Sequence, residues 1–234
     1  MEYIFTLGGL IIFYVICLFA MQFFKNYKVT NSIFVISIFL LYIAELLYVY
    51  FTVGSKDWNF MNILPIANIS PFMFALTPLY FILPKKIKPY YLSIVSLLSI
   101  GMALSPIISC IYYIRVEYSF FPQFLLGYLA HLLLSLWGVY VVKTKQCHTD
   151  FSKTAKSASI VFWIVAIMMI INFIFDTSFF GLSLKGKHNI YGMVLVSSSY
   201  VSAIIYIAGL CAVMILSYIY NKLLCKFLYN EKNK

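Results

Sequence analysis

The chain is dominated by long apolar runs that are separated by short charged segments. Only 10% of its 234 residues are charged, and its mean hydropathy is +0.94, whereas soluble domains are about a quarter charged. As helices, apolar runs of about 20 residues are long enough to cross a hydrocarbon core ~30 Å thick. The pattern therefore predicts an all-α fold, a polytopic transmembrane helical bundle, because a soluble core could not use so much apolar surface.

Seven apolar runs remain when the sequence is divided at its charged breaks. They make residues 1–220 a single seven-helix transmembrane domain, and residues 221–234 a short basic tail that we expect to be cytoplasmic. The predicted spans cover approximately residues 3–24, 31–53, 60–83, 90–113, 120–142, 157–175 and 192–220.

The basic residues are concentrated on alternate breaks. Thirteen of the 17 Lys and Arg residues lie between spans one and two, three and four, or five and six, or in the tail. Short loops rich in Lys and Arg face the cytoplasm, so we expect the N-terminus outside and the C-terminus inside, in a multi-pass protein of the cell membrane. Topology thus explains the net charge of +10. Membrane lipids, and not nucleic acid, are the expected partners.

A few ionisable or amide side chains fall inside the predicted spans. Glu45 lies mid-span in the second helix and His131 in the fifth, while Asn172 and Asp176 lie one turn apart near the outer end of the sixth. Such groups are costly in lipid and usually face the bundle interior or a cavity. We therefore predict that they line a cavity or take part in a proton relay.

The fifth predicted helix carries a polar stripe with a spacing of four residues: Gln123, Gly127, His131 and Ser135. Residues at this spacing share one helix face, and small or polar faces pack against other helices. His131 is then either a general base or proton carrier, or a structural histidine bonded to a neighbouring helix, for example through Glu45.

The segment N-I-L-P-I-A-N-I-S-P-F, Asn62 to Phe72, interrupts the third apolar run. Pro65 and Pro71 each remove a backbone donor, and the freed carbonyl groups need partners. Asn68 and Ser70 are the candidates to supply them. We expect a kinked third helix that lines a cavity.

Several short motifs occur in the order found in a known family. The chain resembles the YwaF family of bacterial integral membrane proteins, which is related to the eukaryotic transmembrane protein 164 family. The matching landmarks are Glu45, Leu64-Pro65, the A-L-S-P motif of residues 103–106, the F-F-P-Q-F-L-L-G-Y-L-A-H segment of residues 120–131, and the I-I-N-F motif of residues 170–173.

This resemblance implies a seven-helix bundle. In the eukaryotic branch it implies acyl transfer between phospholipids, through a Cys in an L-P-L-H-L-C motif and a His that matches His131. Aligned on Leu64-Pro65, this chain has Ala67 and Ile69 at the motif's His and Cys; aligned on the following Asn-Ile-Ser, it has Pro65 and Ala67 there. We therefore expect a protein that lacks the Cys-based chemistry and retains a lipid-binding cavity.

Two other functions fit the same residues. In a membrane lipid hydrolase or acyltransferase, Ser70 would be the nucleophile, His131 its base and Asn68 a donor to the oxyanion. In a small proton-linked transporter, Glu45 and His131 would form the relay. The sequence has no cofactor signature, and it has no P-loop or H-E-x-x-H zinc motif.

Overall fold

A computed structural model describes residues 2–54, 63–65, 68–116, 121–175 and 199–228. Within these ranges the chain is helical and has no strand. Five of the helices are long and apolar enough to cross a membrane. The chain is therefore a helical protein with the architecture of a multi-pass membrane protein.

The helices are numbered here in chain order. Their bounds are α1 Glu2–Ala20, followed by one 3-10 turn at Met21–Phe23, then α2 Tyr27–Val53, α3 Ile69–Leu76, α4 Leu79–Ile82, α5 Lys88–Val116, α6 Phe121–Lys143, α7 Phe151–Phe175 and α8 Ser199–Leu228. The five that meet the length and hydropathy requirements of a span are α2, α5, α6, α7 and α8.

Helices α5 and α6 form the centre of the bundle. Helix α6 packs on α1, α2, α3, α5 and α8, and α5 also packs on α1, α7 and α8. Trp137 and Tyr140 of α6 are fully buried. In contrast, α7 and α8 turn large apolar side chains such as Trp163, Phe173 and Ile204 outward, as helices do when they face lipid.

The third predicted span, residues 60–83, differs from one kinked helix in the part that is described. Residues 69–82 form two short helices, α3 and α4, which separate at Thr77-Pro78. Proline lacks the amide that would bond Phe74 O. Thr77 takes its place, donating from its backbone N at 3.2 Å and from Oγ1 at 2.8 Å.

Pro71 causes no break, because it lies in the first turn of α3. Asn68 is the N-cap of this helix, and amides in the first turn have no intrahelical partner. The carbonyl groups four residues before Pro65 and Pro71 lie outside the described residues, so the expected role of Asn68 and Ser70 stays a prediction. Thr77 fills the corresponding role at Pro78.

The boundary expected at residue 220 falls inside a helix, because α8 continues to Leu228. The apolar side chains of Leu223, Leu224 and Phe227 extend the helical pattern, and Asn221 is buried. Residues 221–228 therefore belong to the bundle. The rest of the expected tail, residues 229–234, lies outside the described residues.

Lysine-bearing helix ends meet at one end of the bundle, here called the basic end. Lys143 Nζ donates to Met21 O, Asn31 Nδ2 donates to Gln146 Oε1 at 2.6 Å, and Tyr218 OH donates to Thr149 O at 3.3 Å. These bonds join the end of α1, the start of α2, the α6–α7 connection and the end of α8. The structure thereby groups the connections on which the sequence concentrates its lysines.

The connection between α6 and α7 is held by its own backbone. Lys145 has a left-handed φ of 55°, Gln146 N donates to Val141 O at 2.9 Å, and Lys145 N donates to Val142 O at 3.1 Å. This is a Schellman ending. Asp150 then caps α7 by accepting from Lys153 N at 3.0 Å, and this bond lowers the pKa of the Asp150 carboxyl from its ordinary value.

Candidate functional site

A buried carboxyl group lies between α2 and α6. Glu45 is on the inward face of α2 and is 7% exposed. Its carboxyl covers Gly127 of α6 so closely that a Cβ at Gly127 would be 2.7 Å from Glu45 Oε1 and 3.2 Å from Cδ. The glycine is therefore what gives the carboxyl room. No hydrogen bond to this carboxyl is found among the residues that the structure describes.

The imidazole of His131 lies one turn further along α6. Its Nδ1 is 2.6 Å from Gly127 O. Because a carbonyl only accepts, Nδ1 carries the proton, and in the neutral ring Nε2 is left as an acceptor. Phe74 of α3 packs edge-on against this ring at a centroid distance of 4.8 Å, and Tyr128 packs at 6.1 Å.

Gly127 thus connects the two candidate relay residues. Glu45 lies over its α-carbon, and His131 bonds its carbonyl oxygen. Within the described residues, no ion pair or hydrogen bond joins Glu45 directly to His131. The structural alternative of a bond from His131 to Glu45 is therefore not what the structure shows, since the histidine is bonded to its own helix.

Ser70 and Asn68 lie at the start of α3. Ser70 is buried and lies one turn before Phe74, the residue that contacts His131. No hydrogen bond between Ser70 and His131 occurs in the described part of the chain. Asn68 caps α3 in an extended conformation without a capping bond from its side chain. The arrangement does not include the serine–histidine contact that a nucleophile requires.

The polar stripe of α6 faces the interior, which confirms the sequence expectation. Gln123 and Gly127 are buried, and Ser135 is fully buried. The Ser135 hydroxyl is 2.8 Å from Tyr14 OH, which is itself 3.0 Å from Tyr220 OH. The stripe therefore makes a polar contact with α1 through Tyr14, which in turn bonds α8, and it packs against the Glu45 carboxyl of α2 at Gly127.

The remaining candidates are on α7. Asn172 is 2% exposed and lies on the inward face of that helix. Asp176 lies outside the described residues, so its expected proximity to Asn172 stays a prediction. No group of three or more metal-ligating side chains occurs among the residues described.

Sequence reasoning missed a side-chain hydrogen-bond network centred on Asn31. Asn31 is fully buried, accepts from Trp137 Nε1 at 2.9 Å, and donates to Tyr80 OH at 3.0 Å and Gln146 Oε1 at 2.6 Å. It thereby joins α2, α4, α6 and the connection after α6. Asn31 is easily missed in the sequence, because it lies close to the charged break at Lys28, where a polar residue is typical of a loop.

Comparison with protein-family models, with curated proteins and with solved structures finds no match to this chain. The YwaF-like resemblance therefore stays a prediction.

Proposed function

We propose that this chain is a small proton-linked membrane transporter in which Glu45 is the proton-binding group and His131 its partner in the relay. The observation that carries the proposal is the carboxyl of Glu45, buried at the α2–α6 interface against Gly127. A carboxyl inside a membrane bundle either carries a proton or meets a cation or donor when it is ionised. Cyclic changes between these states are what couple transport to protons.

The placement of His131 supports the same function. Its Nδ1 is occupied by Gly127 O, so Nε2 is the nitrogen that can take up a proton. Glu45 and His131 approach the same glycine from different sides, and neither bonds the other directly. A relay between them would therefore pass through a bridging water or solute when the bundle opens.

The other two functions receive less support. The lipid hydrolase requires a bond from Ser70 to His131, and Phe74 contacts the imidazole instead. A non-catalytic YwaF-like protein with a lipid-binding cavity is compatible with Ala67 and Ile69 at the reactive positions. That interpretation counts Glu45 among the landmarks of the family but gives its carboxyl no chemical role, although the group is costly to keep in the bundle.

For the topology, we propose seven crossings in the cell membrane, with the N-terminus outside and the C-terminus inside. Helix α1, which is shorter than the five long helices, and the α3–α4 segment would supply the two further crossings. The grouping of lysine-bearing connections at the basic end supports this orientation through the positive-inside rule.

The proposed function is tested with purified protein in liposomes that contain a trapped pH-sensitive dye. Pools of amino acids, peptides, sugars and organic acids are added outside, and acidification of the interior reports proton entry with solute. At least one pool should acidify the wild-type liposomes, and Glu45→Gln should abolish the signal. Asp150→Asn is the control, because it removes an exposed carboxyl at the basic end. A signal that survives in Glu45→Gln would contradict the proposal.

A further inference from the structure

A second polar site lies at the basic end, away from Glu45. It is a partly open pocket between α5, the end of α6 with the α6–α7 connection, α7 and α8. Its inner part has room for a group the size of a water molecule or a hydroxyl. The lining residues that matter here are Ser96, His148, Thr154, Tyr218, Asn221 and Lys222.

Asn221 contributes an unused acceptor to this pocket. The residue is 2% exposed, and its Nδ2 donates to Ser96 O at 2.8 Å and to Ser99 Oγ at 2.9 Å. Because Ser96 O can only accept, these bonds fix the orientation of the amide. The buried Oδ1 has no hydrogen-bond partner among the residues described, and a buried acceptor is costly to leave without a donor.

His148 contributes a second unused atom. Its ring is held edge-on against Tyr90 at a centroid distance of 4.5 Å. Its backbone N donates to Ser93 Oγ at 2.9 Å, and its carbonyl accepts from Thr154 Oγ1 at 3.1 Å. The backbone of His148 is thus held by two hydrogen bonds and its ring lies against Tyr90, yet its buried Nε2 has no partner in the described part of the chain.

A cation stands at the rim of the pocket. Lys222 is exposed, and its Nζ lies 4.4 Å above the ring of Tyr218. The aromatic contact holds the ammonium at the edge of the pocket. The lining of the pocket therefore includes a buried amide oxygen and a buried imidazole nitrogen that both lack a partner among the residues described, and a lysine side chain at its exposed edge.

We propose that this pocket binds a phosphate diester that carries a neighbouring hydroxyl group, the chemistry of a glycerol phosphate headgroup. The hydroxyl enters the pocket, donates to Asn221 Oδ1 and accepts from the Nε2–H tautomer of His148. The phosphate stays outside and pairs with Lys222. A glycerophospholipid fits the location, because basic residues at the end of a bundle lie at the depth of lipid headgroups. This site is independent of Glu45 and of proton coupling.

The test compares lipids whose headgroups differ in their hydroxyl groups and in their charge. Lipid retained by the purified full-length chain is measured by native mass spectrometry after mixing with phosphatidylglycerol, phosphatidylethanol or phosphatidylcholine with identical acyl chains. Phosphatidylethanol has the charge of phosphatidylglycerol without its hydroxyls. We expect phosphatidylglycerol to bind at least about fivefold more tightly than phosphatidylethanol, because its hydroxyl makes two hydrogen bonds in the pocket. Both lipids should bind more tightly than phosphatidylcholine.

Two variants separate the preference for a hydroxyl group from the preference for an anionic lipid. His148→Phe keeps a ring against Tyr90 and should remove the preference for phosphatidylglycerol over phosphatidylethanol. Lys222→Met, at an exposed position that the fold tolerates, should weaken both anionic lipids. Lys226→Met, one turn further along α8, is the control and should change neither.

Two results would overturn the proposal. One is equal binding of phosphatidylglycerol and phosphatidylethanol to the wild type, which would mean that the pocket holds a water molecule only. The other is a hydroxyl preference that remains in His148→Phe with anionic lipid binding unchanged in Lys222→Met. Competition by soluble glycerol phosphate distinguishes the sources: displacement supports a free headgroup as ligand, and failure to displace supports the lipid.

Discussion

Asn31 shows how one amide side chain holds several elements together at the basic end. All of its side-chain hydrogen-bonding atoms are used, by Trp137, Tyr80 and Gln146, and it is fully buried. Gln146 is brought into range by the Schellman ending of α6, so a backbone feature of one helix determines a side-chain contact with another. The sequence does not reveal this role, because the partners are 49 to 115 residues away.

Replacing Asn31 with Leu should destabilise the folded protein by about 1–3 kcal/mol, because the indole of Trp137 and the amide of Gln146 lose their partner. The midpoint of thermal denaturation in detergent measures the effect. Ser32→Ala is the control: the Ser32 hydroxyl bonds only Lys28 O of its own helix, at 3.0 Å. A loss no greater than that of the control would mean that the network contributes little.

Gly127 has a different role, which is to leave space. A Cβ there would overlap Glu45 Oε1 at 2.7 Å, whereas a Cβ at Gly209 of α8 would meet nothing within 4 Å. Gly127→Ala should therefore displace the Glu45 carboxyl and reduce solute-dependent proton entry at least tenfold. The protein should still fold, because the end of the Glu45 side chain can rotate away from the new methyl group. Gly209→Ala should leave proton entry unchanged. Equal activity in the two variants would contradict a role for the Glu45 position.

At the scale of the elements, the five long helices were predictable and the short ones were not. Periodic apolar runs identify α2, α5, α6, α7 and α8 because only helix length and hydropathy are needed. Helices α3 and α4 occupy the same kind of apolar run, yet Thr77 satisfies Phe74 O at Pro78 and allows the chain to turn. The predicted last span ends at residue 220, because Lys222 and Lys226 are typical of a charged tail. In the structure α8 continues past them, and Asn221 bonds Ser96 O of α5.

Helices α5 and α6 approach closely at Gly138. A Cβ at this position would be 2.7 Å from Ser99 Cβ and 2.9 Å from Val95 O. Because a backbone atom cannot move aside as a flexible side chain can, Gly138→Ala should push the helices apart and destabilise the protein by about 1–3 kcal/mol. Gly209→Ala is the control, because it gains helix propensity of about 1 kcal/mol without a close contact. The midpoint of thermal denaturation should fall in Gly138→Ala and rise in Gly209→Ala. Equal stability would contradict the close packing.

For the whole molecule, the sequence predicts a membrane bundle and identifies Glu45, Gly127 and His131 as polar or small residues inside it. In the structure Glu45 lies against Gly127, and His131 bonds the carbonyl of Gly127. The sequence suggests Glu45 as a possible hydrogen-bond partner of His131, whereas in the structure Nδ1 of His131 bonds the carbonyl of Gly127. The asparagine network and the His148–Asn221 pocket depend on contacts between residues distant in sequence. Side-chain periodicity within one helix carries no information about such contacts.

The proposed orientation is tested by labelling single cysteines in intact cells with a membrane-impermeant maleimide. A variant without the natural cysteines receives Cys at Lys187, which we expect outside, or at Lys86, in the lysine-rich break between the third and fourth predicted spans, which we expect inside. The Lys187 variant should be labelled in intact cells and the Lys86 variant only after lysis, because short lysine-rich connections remain in the cytoplasm. The reverse result would invert the topology.

We propose that the Glu45 carboxyl exchanges a proton inside the bundle, and pH-difference infrared spectroscopy of the reconstituted protein detects such an exchange. We expect a carboxylic acid C=O band from a buried group that appears and disappears with pH, is absent in Glu45→Gln and is shifted in Gly127→Ala. Asp150→Asn should leave the band in place. A band that persists in Glu45→Gln, or a wild-type spectrum without any titrating buried carboxyl, would contradict the claim.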